Sequence, residues 1–377
     1  MRGNVELKLL IGAVPAPAPR PLLEALVSAK VDSGSGSTPS GFELVFEIPV
    51  RSELRSLFFA STGAATGVMP FIRVVISIVI AGRAEQLISG VITMIDAQPT
   101  DSGTTRLTVW GKDLSAFMDR EELPGTPFAA LPPSARVRKI LGKYLAFGIL
   151  PEVVPALLET PPLPMEREPQ QHGTDYSYVC DLASEAGYVF YLEPGKLPGT
   201  STAYWGPEIR LGEPQPALTT GMDAMNTVDQ LTFAFDRERV ELPLVHVQIP
   251  YTKRTLPIPV GLVSPLNPPL GRVPPLPPRL VHLNRVAHLP FGEAMLRGMA
   301  HAAQNGDALT GQGQLDVARY GHVLRSRRLV GVRGAGTPYD GLYYVTQVSH
   351  EIARGSYKQS FQLARNGLFS TLPRVPV

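Results

Sequence analysis

The acidic side chains Glu121, Glu122, Asp175 and Glu185 are the first candidates for chemistry. Two carboxylates on either side of a glycosidic bond, one as acid and one as base or nucleophile, would make a cell-wall hydrolase. Asp175, however, falls in the first turn of a predicted helix, where the helix dipole favours a negative charge, and Glu185 falls on the solvated face of that helix. Those positions account for both residues without catalysis. The seven histidines stand at 172, 246, 282, 288, 301, 322 and 350, and none forms the i, i+4 pair with a glutamate that a helical zinc hydrolase needs. His350 precedes Glu351 but lacks the second histidine, and His282 and His288 flank a strand-like segment without an acidic third ligand. No metal or cofactor site is expected.

Other reaction classes lack their residues. There is no Gly-x-Ser-x-Gly elbow for a serine nucleophile. The glycines of Gly331-Val-Arg-Gly-Ala-Gly336 lack the dinucleotide spacing and lead into a strand, whereas a phosphate cradle needs a helix N-terminus after them. The single cysteine, Cys180, excludes an internal disulfide and reads as a small apolar core residue. The basic run Arg325-Ser-Arg-Arg328 lacks interleaved aromatics and sits in a chain of net charge +2 with 18% charged residues, which argues against nucleic-acid specificity. Arginine's planar donor fork suits protein interfaces, so Arg325, Arg327 and Arg328 are the candidate assembly contact.

The elements that carry these residues are mostly strands. The 377 residues suffice for two or three domains, and the 38 prolines and 35 glycines disfavour long helices. The N-terminus shows no signal peptide. The most apolar stretch, Val74 to Ala81, is about eight residues long against the roughly twenty a membrane span needs, so it reads as a buried strand. Up to Lys112, strands are expected at Val5–Ile11, Leu23–Val31, Phe42–Ile48, Phe71–Ile80, Gln86–Ile95 and Arg106–Trp110. Phe42, Leu44, Phe46 and Ile48 alternate with Glu43, Val45, Glu47 and Pro49, as in a sheet with one face packed. Ser33 to Ser40 reads as a mobile loop.

At Trp110-Gly-Lys-Asp-Leu-Ser-Ala-Phe-Met-Asp119 the period changes to that of a helix, with Asp113 placed to cap it. A second helix is expected over Ser134–Phe147, capped by Ser134, then a Pro-rich extended segment, Pro151–Pro169. A third helix runs from Thr174 or Asp175 to Gly187, followed by a strand at Tyr188–Leu192. Strands resume at Val228–Phe235 and Val245–Ile249. Leu256–Pro278 is too proline-rich for a central strand or helix and reads as a stiff spacer more than as a recognition motif. A helix at Phe291–Ala303 carries small residues for close packing. The last fifty residues predict an antiparallel meander, with Leu342, Tyr344, Thr346 and Val348 on one face and Tyr343, Val345, Gln347 and Ser349 on the other. Tyr357, Gln359, Phe361 and Leu363 share a face of its last strand.

Four blocks in order resemble the late control gene D family of baseplate hubs, found in contractile phage tails and injection machines. They are Leu87-Ile-Ser-Gly-Val-Ile-Thr93, Leu107-Thr-Val-Trp-Gly-Lys-Asp-Leu-Ser115, Gln171 to Gly187, and the closing meander from Gly341 to His350 and from Tyr357 to Arg365. Asp181 stands where the family usually has arginine, which puts one local ion pair in question. The motif positions mark folding points. Gly90 and Gly111 suit close backbone approach, Asp113 a cap, and Asp175, Gly187, Gly341, Tyr344, His350 and Tyr357 fill the remaining matches.

The resemblance implies a mainly β (α+β) chain with two tube-like antiparallel β-barrels around an α+β insertion. The first barrel would span 1–112, the module 113–225, and the second barrel 226–377 with a Pro-rich and helical insertion at about 251–325. It further implies a non-enzymatic homotrimer that joins a hexameric inner tube to a trimeric spike and contacts other baseplate proteins. The particle would assemble in the bacterial cytoplasm, with no membrane insertion by this chain. Because the chain ends at Pro373-Arg-Val-Pro-Val377, directly after the meander, the resemblance implies a separate spike protein. The rival expectations are a phage-delivered cell-wall hydrolase and the tail-tip hub of a non-contractile phage.

Overall fold

The structure is a computed structural model that describes residues 5–49, 52, 71–80, 82–100, 103–123, 125–156, 159, 168–221, 226–248, 254–261, 267–276, 279–284, 286, 289 and 291–371. His288, Pro373–Val377 and parts of the Pro151–Pro169 and Leu256–Pro278 segments lie outside the described residues.

The first region holds strands β1 (Glu6–Gly12), β2 (Ala16–Pro17), β3 (Leu26–Gly34), β4 (Gly41–Pro49), β5 (Arg73–Ile80), β6 (Arg83–Pro99) and β7 (Thr104–Asp113), with helix α1 (Arg20–Ala25) ahead of β3. The strand expected from Leu23 therefore starts later, at Leu26. Pro21 in the first turn accepts a helical backbone at no cost, because its fixed φ matches the helix and the amide it lacks would be unpaired there. Phe42, Leu44, Phe46 and Ile48 are buried, as their alternation predicts.

The middle region holds β8 (Thr126–Pro127), α2 (Pro133–Gly142), β9 (Ile149–Val153), β10 (Gln170–Gln171), α3 (Asp175–Ala186), β11 (Val189–Pro194) and β12 (Ser201–Gly206). Ser134 does not cap α2, since the helix starts one residue earlier behind Pro132 and has no side-chain cap. The amide of Ser134 donates instead to the Glu159 carboxylate. The single helix expected to Phe147 is divided, ending at Gly142 and resuming as a short 3-10 turn at Leu145–Phe147. Thr174 caps α3, accepting from Ser177 N at 3.1 Å.

The remaining elements are β13 (Gln215–Thr219), β14 (Val228–Phe235), β15 (Glu241–Gln248), β16 (Thr255–Pro259), β17 (Gly271–Val273), β18 (Arg279–His282), α4 (Phe291–Gln304), β19 (Leu309–Asp316), α5 (Val317–Tyr320), β20 (Leu329–Arg333), β21 (Gly341–Ala353), β22 (Ser356–Arg365) and β23 (Leu368–Ser370). The proline-rich tract supplies β16, at the edge of a small sheet ordered β16-β15-β18, where missing amide donors cost least. In α4, Gly298 packs under Val245 and Val260, and a Cβ there would stand 2.6 Å from both side chains.

Both ends of the chain build one 13-stranded sheet, ordered β14-β19-β22-β21-β3-β4-β7-β6-β5-β1-β2, with β20 and β13 branching from β21. The link is the antiparallel pairing of β21 with β3, from Gln347 opposite Gly34 to Ala353 opposite Ser28. This pairing joins residues more than three hundred positions apart, so it is invisible to any local pattern. The sheet's main core draws on Phe42, Ile76 and Val109 from the first region and on Leu309, Val345 and Phe361 from the last. The middle region has its own core, centred on Phe117, Ile140, Val179, Phe190 and Trp205. No sheet closes on itself among the described residues; the architecture is mainly β with large antiparallel sheets.

The meander β20-β21-β22 is antiparallel throughout. Its faces are not those of simple alternation, because the register shifts between Val345 and Gln347. Thr346 is thus an extra residue in a bulge, and the parity of the strand reverses across it. Tyr343 and Val345 before the bulge, and Val348 and Ile352 after it, all enter the main core. Leu342 and Tyr344 enter a separate cluster with Ala217, Leu270 and Leu329.

Candidate functional site

Three clusters contain the residues singled out by sequence. In the first, the ring of Phe42 lies over two glycines of neighbouring strands. A Cβ on Gly111 would stand 2.1 Å from Phe42 Cζ, and one on Gly90 would stand 2.3 Å from Lys112 O and 2.9 Å from Phe42 Cε1. Next to them Asp113 is buried. It accepts from Ser40 N at 2.9 Å and from Ser115 N at 3.0 Å, capping the short 3-10 turn Leu114–Phe117. Burial raises its carboxyl above the usual range, while the hydrogen bonds from Ser115 and Ser40 oppose that shift.

In the second cluster, Asp175 accepts from Gln171 Nε2 at 2.7 Å, Tyr144 Oη at 2.8 Å and Lys143 Nζ at 3.0 Å. The carboxylate thus ties α3 to the end of α2. Glu185 stands at the other end of α3, about 15 Å away along the helix axis at 1.5 Å per residue, and forms an exposed ion pair with Arg297 at 3.0 Å. Paired glycosidase carboxylates stand within about 10 Å of each other, so Asp175 and Glu185 are not brought together. Gly187 closes α3 with φ +70°, and a Cβ there would stand 2.5 Å from Ala300 Cβ of α4. Cys180 lies on the same helix, and burial pushes its thiol up to about 11, away from nucleophilic character.

The third cluster is in the meander. His350 Nδ1 lies 2.8 Å from Tyr357 Oη and 3.3 Å from Gln359 Nε2. Gln359 also grips the backbone of Leu324, accepting from its N at 3.0 Å and donating to its O at 2.8 Å. Burial pulls the His350 imidazole down to about 3, so it stays neutral at ordinary pH. Arg365 is fully buried, its guanidinium 4.5 Å from the centre of the Tyr343 ring. It donates to the carbonyls of Pro338 at 2.6 Å, Gly367 at 2.7 Å and Asp340 at 3.0 Å. Gly341 has φ +136°, and a Cβ on it would stand 2.7 Å from Arg365 Nη1. Tyr344 lies under the guanidinium of Arg210, 4.8 Å from its ring centre.

Sequence reasoning places Gln359 on the face of Tyr357, Phe361 and Leu363 without giving it a role, and it does not identify Arg365 as a polar group of the core. Their signal is positional, since both continue the buried stripe Tyr357, Phe361, Leu363. Arg210 carried no such signal; it is buried and pairs with Asp307 at 2.6 Å and Glu208 at 3.1 Å, tying the β12–β13 connection to the start of β19. His282 stacks on His246 at 5.1 Å. No group of three or more metal-ligating side chains occurs among the described residues.

The three arginines line a cleft where β6, the end of β11 and the β19–β20 connection meet, with Ser33, Ser89, Asp113 and His350 around it. Arg325 Nη2 stands 3.1 Å from Glu85 Oε2, an ion pair not aligned as a hydrogen bond. Arg327 has φ +61°, and its guanidinium lies 4.0 Å from the centre of the Tyr191 ring. Arg328 is exposed.

No protein-family profile matches the chain, and no curated protein does. Solved structures do. The tail protein from Neisseria meningitidis MC58 matches over 97% of this chain and 98% of its own, with TM-score 0.62 and 14% identity. The 43 kDa tail protein of prophage MuSo2 from Shewanella oneidensis matches over 98% of this chain and 100% of its own, with TM-score 0.57 and 13% identity. The fold is that of phage tail proteins. An Escherichia coli component of the type VI secretion system, described as structurally similar to T4 bacteriophage tail proteins, shares this tail-protein fold. It matches over 93% of this chain and 78% of its own, with TM-score 0.54 and 14% identity.

Proposed function

We propose that the chain is the structural hub of a contractile tail-like particle, a homotrimer that joins a hexameric inner tube to a trimeric spike and contacts other baseplate proteins. The role is non-enzymatic. The observation that carries this reading is the full-length agreement in fold with the tail protein of a prophage, covering 98% of this chain and 100% of that one. The chain's own geometry supports it. The division proposed is into β-rich regions at 1–112 and 226–377 around the 113–225 module; strands from both ends of the chain share one open sheet, whose outer strands β14 and β2 each have one strand neighbour among the described residues. Unpaired edges recruit further strands. Three copies would bring six β-rich regions into a ring, each region serving as one tube-like barrel wall, which suits a hexameric tube above and a threefold spike below. Arg325, Arg327 and Arg328 lie at the seam of regions and serve as an assembly contact.

The test is the mass of the purified chain, alone and with the tube and spike proteins of its particle, by light scattering and single-particle imaging. Three copies per ring are expected. A chain that stays monomeric with both partners present overturns the reading, and a peptidoglycan-clearing activity lost on substitution of Asp175 or Glu185 replaces it with a hydrolase.

A further inference from the structure

Two Asn-Gly pairs occur in the chain, Asn305-Gly306 and Asn366-Gly367, and the fold treats them oppositely. Such a pair carries its own reaction. The backbone nitrogen after an asparagine can attack the side-chain carbonyl carbon, and glycine, with no Cβ, leaves that approach open. Whether the attack succeeds depends on how freely the two residues turn.

Asn366 is locked. Its Oδ1 accepts from Leu270 N at 2.8 Å and from Gly271 N at 2.9 Å, which fixes the carboxamide against the start of β17. Gly367 is buried beneath the same strand, where a Cβ would stand 2.4 Å from Val273 O and 2.9 Å from Pro274 Cα, and its carbonyl accepts from Arg365 Nε at 2.7 Å. Its amide cannot turn toward the Asn366 carboxamide without breaking these contacts.

Asn305 stands one residue beyond the end of α4, in the connection to β19, and both it and Gly306 are partly exposed. Gly306 N donates no hydrogen bond among the described residues, so the attacking nitrogen is free. The Asn305 side chain is held at its nitrogen alone. Nδ2 lies 3.2 Å from His301 Nε2 and 3.3 Å from His301 O, which leaves the carbonyl end open. His301 Nε2 also lies 2.9 Å from Glu241 Oε2, so the nitrogen that must leave stands beside an imidazole–carboxylate pair suited to moving a proton.

We propose that Asn305 is a self-modification site, converting to aspartate and isoaspartate in the folded chain while Asn366 persists. Gly306 N forms a bond to Asn305 Cγ and loses its proton; the Cγ–Nδ2 bond breaks, and the amide nitrogen leaves as ammonia, carrying a proton in exchange. Water then opens the cyclic imide at either carbonyl, giving aspartate, or isoaspartate with the main chain rerouted through the side chain. The reaction needs no partner, so it stands apart from the hub reading. Its product places a carboxylate at the C-terminal end of α4, where the helix dipole disfavours it, and beside the His301–Glu241 pair. Asp307, whose ion pair with Arg210 anchors the approach to β19, is two residues away.

The test holds the purified chain in mildly alkaline buffer, with digestion at intervals and mass spectrometry of the peptides. The peptide carrying Asn305 should gain one mass unit at least about tenfold faster than the one carrying Asn366, the ratio that a restraint of about 1.4 kcal/mol on the second site gives. Fragmentation that separates aspartate from isoaspartate should find both at position 305. In urea the two sites should react at similar rates, because the difference lies in the fold. Asn305→Gln should stop the gain, and Gly306→Ala should slow it by crowding the attack. Equal native rates at the two sites, or a faster Asn366, overturn the proposal, as does a native Asn305 that stays intact over a period in which it reacts in urea. A gain that persists in Asn305→Gln belongs to another residue of the peptide, and one that Gly306→Ala leaves unchanged is direct hydrolysis by water; either result also overturns it.

Discussion

The two halves of the large sheet solve the same packing problem by different means. In the first half, strands β4, β6 and β7 meet through apolar side chains and two glycines under the Phe42 ring, where the clearances are too small for a methyl group. In the last half, β21 and β22 bury His350, Gln359 and Arg365, each at 5% exposure or less, and satisfy them internally. Shape complementarity holds the first half, and polar satisfaction holds the second. The difference teaches that a strand may carry a charged residue into its core stripe, provided loops supply enough carbonyls to surround it.

Substitutions should separate these two modes. Arg365→Met is expected to have the largest effect, about 4 kcal/mol, because it removes the donors to the carbonyls of Pro338, Asp340 and Gly367 from a fully buried position and leaves a volume mismatch; a urea unfolding midpoint measures it. A loss under about 1 kcal/mol would mean that the polar group is not what holds the last half. Gly111→Ala should cost about 3 kcal/mol, the added methyl forcing the Phe42 ring out of its seat. Adding Phe42→Leu to Gly111→Ala should recover part of that loss if the ring is the obstacle, and no recovery would locate the strain in the backbone instead.

His350 distinguishes the halves by pH. Its native pKa of about 3 lies below its ordinary value of 6.5, so below that value the unfolded chain takes up a proton that the native chain refuses. Its contribution is fully retained above pH 6.5 and is lost as the pH falls toward about 3. Wild-type stability should therefore drop by about 1.4 kcal/mol per pH unit across this window relative to His350→Gln. Parallel stability curves for the two proteins would refute a neutral buried imidazole. The smallest effect belongs to Gly355→Ala in the β21–β22 turn, where φ is +74° but the space is open. It should cost about 1 kcal/mol from backbone conformation alone, and a cost equal to that of Gly111→Ala would erase the distinction between strain and crowding.

Several elements were legible because their cause is local. Val228–Phe235 alternates and is bounded by turns, and it forms a strand at those limits. Thr174 and Gly187 bracket α3 because a hydroxyl can satisfy first-turn amides and a glycine can adopt the left-handed closing position. Other elements failed for reasons equally physical. Leu23 reads as strand, yet Pro21 sets its backbone to helix. Thr346 carries no mark of a bulge, since a bulge depends on where the partner strand places its hydrogen bonds. His282 was weighed against His288 along the chain, whereas its neighbour is His246 across the small sheet.

By itself, the sequence determined the β-rich character, the positions of most strands, the caps of α3 and of the turn after Asp113, and the order of blocks that resembles the hub proteins. Each of these depends on periodicity or on the conformational limits of single residues, which neighbours in the chain already fix. Only the tertiary structure decided that β21 pairs with β3, so that both ends of the chain share one sheet, and that Arg327 stacks its guanidinium on Tyr191. Such contacts join residues far apart in sequence, and their energy depends on geometry that no local pattern encodes.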